Sequence, residues 1–351
     1  MVTVATVPGD ATVSAWPELL PWQRDTAREA LAAKATWPHA LLLDGPRGIG
    51  KRTLACNFAR ALLCENPGTD GSACGVCASC RYVVAGQHPD LQLIEPFVID
   101  DDGEIKVQDP IPVDRIRALI EWVHLTSHRG RAKVAVIVPA EAMNPQAANA
   151  LLKTLEEPPP ATYLLLVAHQ PGRVPATLRS RCRRLPAPWP QTEVACTWLK
   201  AQGVAVPELA LAQAGGAPLT AIAVAGADWQ AERNVWLRAL AKPEALSPVA
   251  LAARVEAVPK EQRRECLRQA LDWLVAWTAD LSRVSAGGVS SVNNDFSAAL
   301  DGLASAVARV PLIRYHQSLL RQRALVAHPL QPRLVVEALL IEYRELFHRA
   351  C

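Results

Sequence analysis

The segment His39–Leu43 (HALLL) runs directly into the turn Asp44-Gly45-Pro46-Arg47-Gly48-Ile49-Gly50 and then into a helical stretch, Lys51–Cys64. This order constrains the chain more than any other feature. Neighbouring parallel strands need a crossover, usually a helix, and a glycine-rich turn marks where the first crossover begins. The alternation continues downstream. Asp90–Glu95 (DLQLIE), Lys133–Val138 (KVAVIV) and Thr162–Ala168 (TYLLLVA) read as buried strands. Val113–His124 carries apolar residues at helical spacing (Val113, Ile116, Leu119, Ile120, Val123), and Gln146–Glu156 is a second helix stopped by Pro158-Pro159-Pro160. Phe97–Gln108 reads as a hairpin turning at Asp101-Asp102-Gly103. The expectation is an α/β domain with a parallel sheet over residues 16–188, behind a loose tail at 1–15.

Beyond about Pro190 the sequence turns Ala- and Leu-rich and reads as helices, with Gly215-Gly216 and Gly287-Gly288 as breaks. Asn234–Ala241, Val249–Ala257, Glu261–Asp280, Ala298–Ala308 and Leu312–Ala327 have helical apolar spacing. A small helical lid at 189–228 and an all-α domain at 229–351 are expected. With 50 % apolar and 20 % charged residues the chain can bury sizeable cores. Its net charge of +3 is too balanced to argue for nucleic acid by itself. No apolar run approaches the ~18 residues of a membrane span, and no basic residue precedes Arg24, so neither a membrane protein nor a secretory signal is expected. Nine cysteines without such a signal point to a reducing compartment.

The turn Gly45-x4-Gly50-Lys51 between strand and helix is the context of a phosphate-binding loop. Its glycines let backbone N–H groups turn inward, and the helix N-terminus adds partial positive charge. Lys51 would reach the outer phosphates. The full motif then requires a hydroxyl for Mg²⁺, but Arg52 stands there and Thr53 comes one residue later, rotated by about 100°. Two outcomes stay open for Gly45, Gly48, Gly50, Lys51 and Thr53: ATP held without a positioned Mg²⁺, or no nucleotide at all.

Cys64-x9-Cys74-x2-Cys77-x2-Cys80 is the sharpest spacing in the chain. CxxC steps let neighbouring thiolates share one Zn²⁺ across a tight turn, and four protein ligands leave no open position for catalysis. A structural zinc knuckle at 64–80 is expected. Cys56, Cys182, Cys196, Cys266 and Cys351 lack such spacing and read as ordinary small residues.

Taken in order, GPRGIGK, the cysteine knuckle, Asn149-Ala150-Leu151-Leu152-Lys153-Thr154-Leu155-Glu156-Glu157-Pro158-Pro159 and Ser180-Arg181-Cys182 resemble the bacterial DNA polymerase III clamp-loader subunits of the AAA+ type. The resemblance covers roughly residues 20–190. His88-Pro89-Asp90, Val113-Asp114-Arg115-Ile116-Arg117 and Met143-Asn144-Pro145 are most similar to its delta-prime branch rather than to the ATP-hydrolysing gamma/tau branch. The resemblance implies an AAA+ domain followed by a lid and an oligomerising helical collar. It also implies partnership with gamma/tau and delta subunits, the sliding clamp and primer-template DNA, and a cytoplasmic place at the nucleoid replisome. In ATP-hydrolysing relatives an acidic pair ends the strand before the Met143 region; here Pro139 and Ala140 hold those places. Leu219 and Thr220 follow Gly215-Gly216-Ala217-Pro218, where those relatives supply a nucleotide-sensing arginine. Intrinsic ATPase activity is therefore not expected. What the resemblance retains is Arg181, which would reach in trans into a neighbour's ATP site as an arginine finger. The alternatives are an active gamma/tau-type ATPase, favoured by Lys51, and a nucleic-acid reader built on the knuckle and the arginines at 173–184.

Among the remaining residues, Leu151, Leu152 and Leu155 are expected to pack against the sheet, with Lys153, Glu156 and Glu157 outward. His88, His124, His128 and His169 are expected at the surface or as caps. Trp122, Trp198, Trp236, Trp273 and Trp277 are expected in cores or subunit contacts, and Asp100-Asp101-Asp102 at a solvated hairpin tip.

Overall fold

The computed structural model describes residues 16–99, 105–107, 110–326 and 331–348. The chain divides into two compact units: residues up to Trp198 with Ala217–Thr220, and Leu199–Gly216 with Ala221 onward.

The first unit is built on five parallel strands: β1 (Ala40–Asp44), β2 (Leu91–Ile94), β5 (Lys133–Ile137), β6 (Thr162–Ala168) and β7 (Arg183–Pro186), in spatial order β2-β5-β6-β1-β7. β3 (Phe97–Ile99) and β4 (Ile105–Val107) form the separate antiparallel hairpin anticipated from the sequence. Its turn, the acidic run Asp100-Asp101-Asp102 and the tail 1–15 lie outside the described residues, as does Cys351.

Strand burial explains why these sequences read as unbroken apolar runs. Side chains alternate between faces, and here helices cover both faces, so each residue meets a core. Ala40, Leu42, Ala135, Ile137, Leu164 and Leu166 pack with α4 (Val113–His124) and α5 (Pro145–Glu156). Leu41, Leu43, Val134, Val136, Leu165 and Val167 pack on the other side with α1 (Arg24–Ala32) and α2 (Lys51–Leu63). As expected, Leu151 and Leu155 of α5 are buried and Lys153, Glu156 and Glu157 exposed. Asn144 caps α5 by accepting from the Ala147 N–H at 2.7 Å.

Several elements went unforeseen, α1 among them. α3 (Ala78–Val84) closes the knuckle region. The four-residue helix α6 (Ala176–Arg179) leads into β7, which pairs Leu42 with Arg184 at the sheet edge. With arginines outward and only Leu185 apolar inside it, β7 has no buried-strand signature.

The second unit holds helices only among its described residues. α7 (Thr192–Ala201) leads into it from the first unit, followed by α8 (Pro207–Gln213) and α9 (Pro218–Val224), whose residues up to Thr220 belong to the first unit. Then come α10 (Ala227–Leu240), α11 (Pro248–Glu256), α12 (Arg263–Ser285), α13 (Ser297–Ala306), α14 (Arg309–Leu325) and α15 (Pro332–His348). α12 is the axis: Leu267, Leu271, Leu274, Trp277 and Leu281 are all buried along it. The Trp277 indole donates to the Tyr343 hydroxyl at 2.9 Å, which donates to the Leu240 carbonyl at 2.9 Å, so one polar chain ties α12, α15 and the end of α10. Trp236, Trp273 and Trp277 lie in this core, as expected.

The loop after α12 is fixed by buried Asp280. Its carboxylate accepts from the backbone N–H groups of Ser291 (2.8 Å), Val292 (3.0 Å) and Asn293 (2.7 Å). The Asn293 side-chain oxygen accepts from Arg233 at 2.8 Å, and Arg233 forks onto Asp295 at 2.6 and 3.0 Å. Arg233 is only 1 % exposed. Removing one partner of such a buried network costs about 3 kcal/mol, because the others keep their desolvation cost. Arg233→Met is expected to lower the unfolding free energy by about that amount; urea denaturation showing a loss under about 0.5 kcal/mol, the range of ordinary surface changes, would contradict this role.

Candidate functional site

At the carboxyl end of β1 the chain enters the glycine turn, the usual position for ligand binding in parallel α/β sheets. Gly48 (φ 80°) and Gly50 (φ 89°) are left-handed, and Gly50 sits at the N-cap of α2. Three of the turn's carbonyls are held by residues outside it. Gly48 O accepts from Leu219 N (3.0 Å), Ile49 O from the Trp22 indole (3.0 Å), and Gly50 O from Gln23 Nε2 (2.6 Å). Lys51, 1 % exposed, donates its ammonium to the Pro46 carbonyl of its own loop. Leu219 and Thr220, expected from the family likeness to stand at a sensor position, lie directly against Gly48: a Cβ there would meet the Thr220 hydroxyl at 2.1 Å.

Charge at this site is largely paired. Arg52 makes a bidentate ion pair with Glu95 at the end of β2, at 2.8 and 3.0 Å, with both side chains mostly buried. Thr53 follows on α2 and is buried. Asp44 pairs with Arg184 of β7. Beyond β5, Pro139 and Ala140 carry no carboxylate, and Ala140 is buried. Glu141, next in line, turns its Oε1 to the backbone N–H groups of His169 (2.8 Å) and Gln170 (2.9 Å). Burial, with Lys51 and Arg47 adding repulsion, pushes the His169 imidazole down to about 3, so it is neutral at physiological pH.

The four knuckle cysteines converge. Their sulfurs all lie within 4.8 Å of one another, the Cys64–Cys77 and Cys74–Cys80 pairs at 4.0 Å. A tetrahedral site with ~2.3 Å metal–sulfur bonds places thiolates about 3.8 Å apart, so the set fits one thiolate-bound ion. The backbone N–H groups of Cys74, Cys77 and Cys80 point at the sulfurs of Cys64 (3.2 Å), Cys74 (3.4 Å) and Cys77 (3.4 Å). Such donors favour thiolate: the N–H groups of Val76 and Cys77 draw Cys74 down to about 6, whereas burial pushes Cys80 up to about 12. Among the described residues no other His, Cys, Asp or Glu cluster could hold a metal.

Arg181 follows α6. Its Nε donates to Glu156 Oε1 at 2.7 Å, Nη2 to the same oxygen, and Nη1 to the Thr177 carbonyl at 2.9 Å. The guanidinium is about one-third exposed. Neighbouring Cys182 is buried, which pushes its thiol up to about 11, and so it packs rather than reacts.

Sequence reasoning missed the partners of these residues. Glu95 for Arg52, Glu156 for Arg181, and Trp22 and Gln23 under the loop are distant in sequence and carry no local signature. Of the expectation that the histidines lie at the surface or act as caps, His88 meets only the second. Only 4 % exposed, it accepts the Asp90 N–H through Nδ1 at 3.1 Å. Asp90 itself is fully buried and holds the N–H groups of His128 and Arg129 and the Ser127 hydroxyl at 2.8–3.1 Å. Those bonds outweigh burial and hold the Asp90 carboxyl below its usual range.

A family profile described as "DNA polymerase III, delta subunit" matches residues 26–188. A Pseudomonas aeruginosa protein named DNA polymerase III subunit delta' is 35 % identical over 342 residues, covering 94 % of this chain and 98 % of the relative. The Escherichia coli protein named DNA polymerase III subunit tau is 39 % identical over 144 residues, 41 % of this chain and 20 % of that one. A solved gamma subunit-related protein from Thermotoga maritima is 17 % identical, with TM-score 0.43, over 92 % of this chain and 99 % of that one.

The loop geometry makes a direct prediction. Gly48→Ala combines left-handed strain of about 1–2 kcal/mol with the collision at Thr220, and thermal unfolding is expected to show a clear fall in Tm, partly restored by adding Thr220→Ala. A Gly48→Ala protein as stable as wild type would show that the loop is not held as described.

Proposed function

The chain belongs to the DNA polymerase III subunit delta' family, and from that premise we propose that it is a clamp-loader subunit that does not hydrolyse ATP itself. In this reading it works with gamma/tau and delta subunits to open the ring-shaped sliding clamp and place it on primer-template DNA. The domain at 16–188 carries the AAA+ fold, 189–228 serves as the lid and 229–351 as the oligomerising collar. The setting is cytoplasmic, at the nucleoid replisome; among the described residues no helix is long and apolar enough to cross a membrane.

One observation carries the absence of hydrolysis: Arg52, standing where a Mg²⁺-binding hydroxyl is required, is committed to a bidentate pair with Glu95. A guanidinium there repels a divalent cation instead of binding it. Pro139 and Ala140 support the same reading, since neither can hold a metal or accept a proton. The glycines, Lys51 and Thr53 leave phosphate binding without turnover compatible with the loop. The second reading, an active gamma/tau-type ATPase, has Lys51 at the start of α2 in its favour.

Arg181 is assigned as an arginine finger acting in trans. A guanidinium at the γ-phosphate neutralises charge in the transition state, worth about 10³–10⁵ in rate in such systems. Cys64, Cys74, Cys77 and Cys80 are assigned to one structural Zn²⁺. When bound, the ion crosslinks the knuckle; the chain's own contribution is the backbone N–H groups that favour thiolates before binding.

Three experiments test this. The purified chain with Mg²⁺ and ATP is expected to show no turnover above background, while Arg181→Ala in the assembled loader lowers hydrolysis by at least about 100-fold without loss of assembly. Turnover by the isolated chain, or unchanged hydrolysis in the variant, would overturn those assignments. Metal analysis is expected to give one zinc per wild-type chain and none in Cys77→Ser, with a lower Tm after chelation; native wild-type protein free of metal would remove the zinc assignment.

A further inference from the structure

Helix α14 carries two apolar faces rather than one. Leu312, Tyr315 and Leu319 are buried in the core of the second unit. Val310, Ile313 and Leu320 are 58 %, 51 % and 44 % exposed. With Gln317 and Ala324, both exposed, they fall at spacings of three, four, three and four residues, the a/d rhythm of a helix seam. At 100° per residue this outer stripe is about 80° wide and lies about 150° from the buried one. Gln317 occupies the central a-type position, where a single polar residue sets register between helices.

The flank of the seam is charged in one sense. α14 contains Arg309, Arg314, Arg321 and Arg323 and no acidic residue. Arg309 donates to the Ser285 carbonyl and Arg323 pairs with Asp272 at 2.6 Å. Arg314 and Arg321 are both exposed and make no ion pair with a described residue. They stand seven residues apart, at the e-type position beside the seam, where helix pairs exchange salt bridges.

We propose that this face of α14 docks a helix of a neighbouring clamp-loader subunit that is apolar along its seam and carries Glu or Asp opposite Arg314 and Arg321. The inference rests on the assembly proposed above and adds the surface and the chemistry of its occupant. The same unit displays such chemistry on α15. There Leu334 (61 % exposed) and Ile341 (37 %) line up with exposed Ala338 at four- and three-residue steps, with Glu342 on one flank and Glu337 and Arg344 on the other. Like units in a ring meet through heterologous contacts, one face against a different face of the next. α14 supplies a basic outward face, and α15 an apolar outward stripe with Glu342 at its edge, for such a relay.

The test uses full-length chain with the gamma/tau and delta subunits of its own organism, followed by co-elution and titration. Wild type assembles, with affinity falling as salt rises. Ile313→Asp/Leu320→Asp loses at least about tenfold in affinity. Arg314→Glu/Arg321→Glu loses affinity too, and because those side chains are exposed it keeps the wild-type Tm and helicity even if the first variant does not. Folded variants that assemble like wild type would overturn the docking face while leaving the clamp-loader reading intact. Failure of wild type to assemble would overturn both. If instead the chain alone self-associates and the variants abolish it, the occupant is a second copy and the proposed partner is wrong.

Discussion

The first unit depends on burying β1 from every direction. All five of its residues pair with β6 on one side and Leu41–Asp44 with β7 on the other, and helices cover it above and below. A strand so enclosed cannot shift register without moving apolar side chains into the wrong core. Its carboxyl end is therefore a fixed point, and the glycine turn leaves from there. Trp22, Gln23 and Leu219 then hold the turn through its carbonyls, so the loop is positioned by its surroundings as much as by its own glycines.

What that fixed point presents is decided by charge. A loop that turns over ATP needs a cation-binding hydroxyl and free carboxylates near the phosphates. Here the acid that ends β1, Asp44, is engaged by Arg184, and Glu95 by Arg52; Glu141 caps two backbone N–H groups. Each carboxylate near the loop thus has at least one oxygen in a structural contact, while Asp44 Oδ1 and Glu141 Oε2 are buried without a hydrogen-bond partner. Substituting a hydroxyl for Arg52 alone would leave Glu95 without its bidentate partner and still supply no acid at Pro139 or Ala140. The departures from a hydrolytic site support one another, which is why they are better read together than as separate substitutions.

The α/β order, the doubly covered sheet and the knuckle were legible because they are written in local pattern: apolar runs of strand length, helical spacing, cysteines at x9, x2, x2. α4 matches its anticipated span residue for residue, and α5 differs only in starting at Pro145. β7 was not legible, since an edge strand reading Arg183-Arg184-Leu185-Pro186 has neither alternation nor β-branched residues and exists only because β1 is beside it. α15 was missed within a tract that read as helical without internal boundaries. From sequence His88 is expected at the surface or as a cap; that it caps from a buried place beside Asp90 is a tertiary fact. The same holds for the candidate site: its backbone positions follow from motif, whereas Glu95 and Glu156 are brought in by folding across 43 and 25 residues.

The Glu156 pair bears on the role assigned to Arg181. A fully buried bidentate pair would tether the guanidinium, since breaking it leaves an uncompensated charge. Here the two side chains are 34 % and 49 % exposed, and pairs in that setting contribute only about 0–1 kcal/mol. Water can solvate Glu156 once the arginine leaves. A nucleotide γ-phosphate, with more charge and several acceptor oxygens, competes well against one carboxylate oxygen. Glu156 and the Thr177 carbonyl thus keep Arg181 ordered in the isolated chain at small cost to its release, which suits a residue whose proposed target lies on another subunit.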